Sequence, residues 1–321
     1  MTMKKILFLL ALVFSNFAHS WEPTRNIEVI VGFAPGSGNE LSFRGVSSII
    51  EKQNKNINFI IINRPGADGV IGMNEFITKP ADGYHLYVPS EQGIWVTAEY
   101  FNKDAVRYTL NDFEYVISLA RSPLALIVPT DAPITTIPTL LNILKNPTKN
   151  INVAAGSGAH KLAFEYMSEY LKLDRNKIQT ISYKGPAQAS VAVAAKEVDF
   201  GIVPVAVAHT LSQSGKVRIL GIFSDKKIDK IREVPLVSDW VPGANVFAGW
   251  GIVLPKNTPK EIVDWYSKIF ASAIKTPEAQ RFFENNLMIV NERAQTPEGY
   301  KAAMLELRKQ WIPIISKMKL E

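Results

Sequence analysis

An apolar run that breaks into a glycine-rich turn occurs twice in this chain, with equivalent glycines at Gly36 and Gly156. Ile27 to Val31 lead into Gly32, Phe33, Ala34, Pro35, Gly36, Ser37, Gly38, Asn39 and Glu40. Ile151 to Ala154 lead into Ala155, Gly156, Ser157, Gly158, Ala159 and His160, ahead of the amphipathic stretch Lys161 to Leu171. Each reads as strand, turn and helix start. Such a turn aims unpaired backbone N–H groups and the positive end of a helix dipole at one point, which suits an anion or a carboxylate. Ser37 and Ser157 add an O–H donor with small neighbours that leave the approach open. Glycines also make tight connections with no ligand in view, and that alone explains Gly32 or Gly185. Two donor-bearing turns in separate halves predict a ligand held between two lobes. His160, in the first turn of its helix, is either a donor to that ligand or an exposed polar residue.

Between the turns the pattern alternates. Ile27 to Val31, Asn58 to Ile62 and Tyr84 to Val88 read as buried strands, with helices over Glu40 to Gln53 and Val70 to Ile77. A second series follows, with strands at Ala125 to Pro129, Ile151 to Ala154, Thr180 to Tyr183, Phe200 to Pro204 and Arg218 to Ser224. Its helices lie in Thr139 to Leu144, His160 to Leu171 and Gln188 to Ala195. Strand and helix in alternation predict two α/β units, each a mostly parallel sheet flanked by helices. After Pro235 the pattern turns irregular, through Trp240, Gly249, Trp250 and Gly251, and ends in helices over Pro259 to Ile274 and Pro297 to Met318. A tail with no sheet of its own needs a surface, and the first lobe offers one. The expected division is a leader over 1–20, one lobe from 21–120 plus 250–321 and a second over 121–249, with a hinge where the chain crosses near 120 and 249.

Lys4 and Lys5, the apolar run Ile6 to Phe17, and then Ala18, His19 and Ser20 read as a secretory signal peptide. The run falls short of the roughly 20 residues that span a bilayer. The expected product is a soluble exported protein of a bacterial periplasm. The chain has no cysteine, so it offers no lipidation site, disulfide or thiolate metal site. The net charge of +6 becomes +4 once Lys4 and Lys5 leave, with 34 basic residues scattered among 30 acidic ones. That scatter predicts a solvated surface and no nucleic-acid partner.

Enzyme chemistry finds few parts. The histidines outside the leader are His85, His160 and His209, none in metal-ligand spacing, and no Gly-x-Ser-x-Gly elbow is present. Gly36, Ser37, Gly38 lacks the third glycine of a dinucleotide fingerprint, and no lysine follows as in a P-loop. The expectation is no catalysis, cofactor or metal. Ser90, Glu91 and Gln92 end a strand and should face the crevice where open α/β sheets bind ligands. In Asn63 to Gly72 the glycines either shape a bend or bring the backbone close to a ligand or neighbour, the bend being the simpler reading, with Arg64 tied to a nearby carboxylate. Phe33, Trp95 and Trp250 would suit an aromatic acid, but core packing is the simpler reading for each.

Together these segments carry a resemblance. Phe33 to Gly36 with Glu40 and Arg44, Asn63 to Gly72, Pro80 to Tyr84, Tyr183 to Gly185, and Trp250 followed by Pro255 and Pro259 resemble the extracytoplasmic solute receptors of tripartite tricarboxylate transporters, the Bordetella-type uptake receptor family. The resemblance runs from about residue 24 to the C-terminus. It implies a two-lobed, Venus-flytrap periplasmic binding protein that closes on a small organic carboxylate, di-, tri- or aromatic, and delivers it to membrane transporter subunits. It also implies that the turns matching Ala34 to Glu40 and Ser157 to His160 grip one carboxylate through backbone groups, hydroxyls and waters. The expected ligand-binding set is Phe33, Ala34, Pro35, Gly36, Ser37, Gly38, Asn39, Glu40, Ser90, Gln92, Ser157, Gly158, Ala159, His160 and Tyr183. Ser37 and Glu40 depart from the family, which usually has glycine and aspartate there. Presentation of the ligand to a sensor kinase is the alternative role, and a secreted hydrolase a more distant one. A receptor that opens and closes is expected to be a monomer.

Overall fold

The computed structural model describes residues 21–316; the leader over 1–20 lies outside the described residues. The first series builds β1 (Ile27–Val31), α1 (Gly38–Gln53), β2 (Phe59–Asn63), α2 (Val70–Phe76), β3 (His85–Val88) and the short α3 (Ala98–Phe101). β4 (Phe113–Pro129) leads to the second series: α4 (Ile137–Lys145), β5 (Ile151–Ala155), α5 (Gly158–Leu171), β6 (Ile178–Ser182), α6 (Pro186–Ala194), β7 (Phe200–Pro204), α7 (Val205–Gln213) and β8 (Val217–Phe223). β9 (Phe247–Pro255) and helices α8 (Lys260–Ile274), α9 (Pro277–Asn285) and α10 (Pro297–Ile315) complete the described chain.

The strands run in the order β2-β1-β3-β9-β4-β7-β5-β6, with β8 also on β4. β2, β1 and β3 are mutually parallel, as are β6, β5 and β7, so each half contains a three-stranded parallel unit, in keeping with the mostly parallel sheets expected. β9, β4 and β8 join in antiparallel fashion and make the whole sheet mixed. Helices cover both faces, and the alternation of side chains decides which core each strand serves. In β1, Ile27, Val29 and Val31 face α1 and α8, while Ile30 faces the opposite core with Val70, Trp95 and Trp311. In β4, Leu124, Leu126 and Val128 enter that same core, and Ala125 and Ile127 turn to a third core against α6 and α7.

The tail departs from the expectation of a segment without a strand. β9 pairs with β4 from Phe113↔Pro255 to Pro123↔Phe247, passing through Ala120↔Trp250 and Arg121↔Gly249. Glycines dilute its strand pattern, and each is required by a neighbour. A Cβ on Gly249 would come 2.2 Å from Glu91 Oε2, and one on Gly251 would come 2.2 Å from the Tyr300 hydroxyl. The tail also reaches both halves. Arg121 and Ile289 exchange backbone hydrogen bonds at 2.8 and 2.7 Å, and Trp311 of α10 packs edge-on against Tyr166 of α5 at 5.3 Å.

Candidate functional site: a cleft between two glycine turns

The turn after β1 is fastened by its own helix. Ser37 caps α1 by accepting from the Glu40 amide at 3.5 Å, and Glu40 folds back so that Oε2 accepts from the Gly36 amide and from Asn63 Nδ2, each at 3.2 Å. Arg44 Nε donates to Glu40 Oε1 at 2.6 Å. Burial pushes the Glu40 carboxyl up, but the bonds from Arg44, Asn63 and Gly36 outweigh it and hold the pKa below its ordinary 4.5. Gly36 sits at φ +79°, where a side chain would strain the backbone. Asn39 is buried and donates to the Val88 carbonyl at 3.0 Å. Trp250 fills the space beside Gly38, where a Cβ would lie 2.2 Å from the indole.

The turn after β5 is fastened differently. Gly156 touches the Gly185 backbone so closely that a Cβ would approach its carbonyl carbon at 2.4 Å. His160 is buried, and its Nδ1 accepts from the Gly156 amide at 3.0 Å. Burial depresses the imidazole pKa from 6.5 to about 3, so at neutral pH it is an uncharged acceptor that braces the turn. This is neither of the two roles the sequence left open. Ser157 precedes α5 in extended conformation and makes no capping bond with its side chain.

The two turns meet across a cleft of about 380 Å³ at the carboxyl ends of β1, β2, β5 and β6, the side on which open α/β sheets bind ligands. One wall holds Gly32, Phe33, Ala34, Pro65 to Asp68, Phe101 and Asn102; the other holds Ala155 to Gly158, Lys161 and Ser182 to Lys184. Of the residues singled out in the sequence, Phe33, Ala34, Ser157, Gly158 and Tyr183 line this cleft. Pro35, Gly36, Ser37, Gly38 and Glu40 complete the first turn without lining the cleft, Pro35 and Gly36 exposed and Glu40 buried, and Asn39, Ala159 and His160 are buried. Ser90 is buried against β9 through a bridge to Trp250, and Gln92 is buried with neither amide atom bonded. Trp95 is a core residue whose Nε1 donates to the Tyr115 hydroxyl at 2.8 Å. Among the described residues no cluster of three metal-ligating side chains is present.

Asp68 is the wall residue that sequence reading passed over. Its segment was read as a bend, and the Arg64 contact expected there does form, to Glu75 at 2.8 Å. The bend also turns Ala67 (φ +46°) and Asp68 (φ +56°) into the left-handed region, which two consecutive L residues rarely share. This carries the Asp68 carboxylate across to the second turn, where Oδ2 accepts from the Gly158 amide at 3.1 Å and from Thr97 Oγ1 at 3.2 Å. Burial raises its pKa, with the Gly158 amide, the Thr97 hydroxyl and the Lys161 charge opposing. Lys161 lies over the Phe101 ring, 5.3 Å from its centroid.

Two α/β lobes sharing a sheet, with a cleft at the strand ends, are the architecture of periplasmic binding proteins. The structure of the periplasmic binding protein BugD matches with a TM-score of 0.81 and 24% identity over 92% of this chain and 98% of that one. A Rhodopseudomonas palustris protein solved with adipate, Rpa4515, matches at 0.83 and 22% over 92% and 97%. MatC from the same organism, solved with malate, matches at 0.81 and 21% over 92% and 100%. The chain belongs to the tripartite tricarboxylate transporter family receptors, whose family model matches residues 43–320. Relatives include a UPF0065 protein from the tcbD–tcbE intergenic region of Pseudomonas sp. strain P51, 28% identical over 80% of this chain and 76% of that one, and BugT of Bordetella pertussis, 25% identical over 75% and 74%.

Proposed function

We propose that this protein is a periplasmic receptor that captures a small organic carboxylate between its lobes and delivers it to the membrane subunits of a tripartite tricarboxylate-type transporter. The observation that carries this reading is the convergence of the β1 and β5 turns, with the Ser157 hydroxyl uncommitted and Lys161 and Lys184 beside it, on one cleft. Adipate and malate in the related structures agree with the ligand class. The ligand-facing residues in this reading are Phe33, Ala34, Ser157, Gly158 and Tyr183, with the other turn residues positioning them. The lobes are 21–120 plus 250–321 and 121–249, and the β4–β9 ribbon at Ala120↔Trp250 and Arg121↔Gly249 is the hinge. Ligand contacts made only in the closed form then favour closure.

A thermal-shift screen of residues 21–321 against mono-, di-, tri- and aromatic carboxylates, each paired with its methyl ester or amide, tests the reading. A ligand at a hundredfold excess over its dissociation constant stabilises by about 2.7 kcal/mol. A shift with an acid and none with its ester supports a carboxylate receptor; the absence of any shift across the panel rejects it.

A further inference from the structure

The carboxylate of Asp68 stands where an anionic ligand would meet the N-terminus of α5. Both of its hydrogen bonds, from the Gly158 amide and the Thr97 hydroxyl, fall on Oδ2. The described residues place no donor on Oδ1, which is not among the sealed buried polar atoms, and the half-buried side chain lines the cleft. The acid is therefore clamped by one oxygen and offers the other to whatever enters. It is held there by a left-handed pair, Ala67 and Asp68, at a conformational cost that the two flanking glycines, Gly66 and Gly69, do not incur.

We propose that Asp68 determines the specificity of the cleft by selecting carboxylates that carry a hydrogen-bond donor beside the acid group, α-amino acids ahead of hydroxy acids and both ahead of plain acids. This rests on the reading of the cleft as a carboxylate site. A plain acid sets its anion against the Asp68 anion and leaves Oδ1 unanswered, and both effects oppose binding in a partly desolvated cleft. A hydroxyl answers Oδ1. An ammonium answers it with a charge-assisted bond, about twice as strong as a neutral one, and also offsets the repulsion. Lys161 and Lys184, on the facing wall, remain for the ligand's own carboxylate.

The test is calorimetric titration of the exported chain, residues 21–321, with two matched series: succinate, malate and aspartate, and phenylpropionate, phenyllactate and phenylalanine. Within at least one series the wild type should bind the amino acid at least tenfold more tightly than the plain acid, with the hydroxy acid between. Asp68→Asn keeps the shape and suits the left-handed backbone, because asparagine tolerates that region. Its carbonyl must face the Gly158 and Thr97 donors, so its NH₂ faces the cleft and presents a donor where an acceptor stood. The order should then reverse in favour of the plain acid, and in Asp68→Gly the three should level to within about threefold. Plain acids that match the amino acids in wild type, or an order unchanged in Asp68→Asn, overturn this inference and leave the carboxylate reading standing. Absence of binding by all six acids overturns this inference, and the carboxylate reading then stands or falls on the thermal-shift screen.

Discussion

His160 Nδ1 accepts the amide hydrogen of Gly156 at 3.0 Å, so the turn after β5 is braced by a neutral, buried imidazole. With its pKa depressed from 6.5 to about 3, this histidine stays unprotonated in the folded state while the unfolded chain takes up a proton below pH 6.5. Its contribution to stability is constant above pH 6.5 and is lost progressively as pH falls toward 3. Asp68 works in the opposite sense, because a raised carboxyl pKa makes the folded state take its proton first. Chemical denaturation of wild type and His160→Gln between pH 6 and pH 4 should show a slope smaller by about 1.4 kcal/mol per pH unit in the variant; equal slopes remove the assignment.

Gly158 sits where the two halves touch. A Cβ there would lie 2.3 Å from Thr97 Oγ1 and 2.6 Å from Asp68 Oδ2. Its backbone suits any residue at the start of a helix, so Gly158→Ala should leave the melting temperature nearly unchanged. The clash should wedge the cleft, raising the radius of gyration in solution scattering and weakening ligand binding at least tenfold. Unchanged affinity would show that the cleft closes without this contact.

Ser157 and Gly36 separate binding from stability. The Ser157 side chain caps nothing, so Ser157→Ala should leave unfolding untouched and cost about 0.5–3 kcal/mol of binding, the range for one hydrogen bond including a charged acceptor. Gly36 has open space around it but a positive φ. A bulky residue at Gly36 should weaken binding by shifting the turn that positions Phe33 and Ala34, and also lower stability by about 1–2 kcal/mol through backbone strain. The sequence alone predicts only the first effect. Calorimetry and melting on the same samples read both.

Glu91 is fully buried at the ribbon that joins the halves, where its carboxylate accepts from Ser118 Oγ at 2.7 Å and from Arg121 Nε at 3.0 Å. Arg121 also stacks on the Phe247 ring, 4.1 Å from its centroid. Glu91→Ala leaves the guanidinium without its counter-ion and should cost about 3–5 kcal/mol in denaturant unfolding. Ser118→Ala removes a single bond and should cost about 1 kcal/mol. A mild effect of the first would mean that water replaces the carboxylate.

The alternating units and both turns were legible in the sequence because the strands before the turns are mostly apolar, broken only by Glu28 and Asn152, and each turn is marked by paired glycines. β9 was not, because Gly249 and Gly251 dilute its pattern for the sake of Glu91 and Tyr300, which are remote in sequence. α7 begins directly after β7 at Val205, where valines invite a strand reading. Asp68 escaped because its importance lies in a left-handed backbone and in Gly158, 90 residues away. Charged residues carry no periodic signal that would reveal such a reach. His160 was visible as a helix-start residue, yet its direction, inward onto Gly156, is a property of packing.

A single strand, Phe113–Pro129, belongs to the sheets of both halves, paired with β9 along its first part and with β7 and β8 along its last. Neither half can be excised, expressed alone or grafted onto a relative without cutting a shared beam. New solute preferences in this architecture must therefore arise in place, by exchange of the loop residues at the strand ends, while the frame is inherited whole.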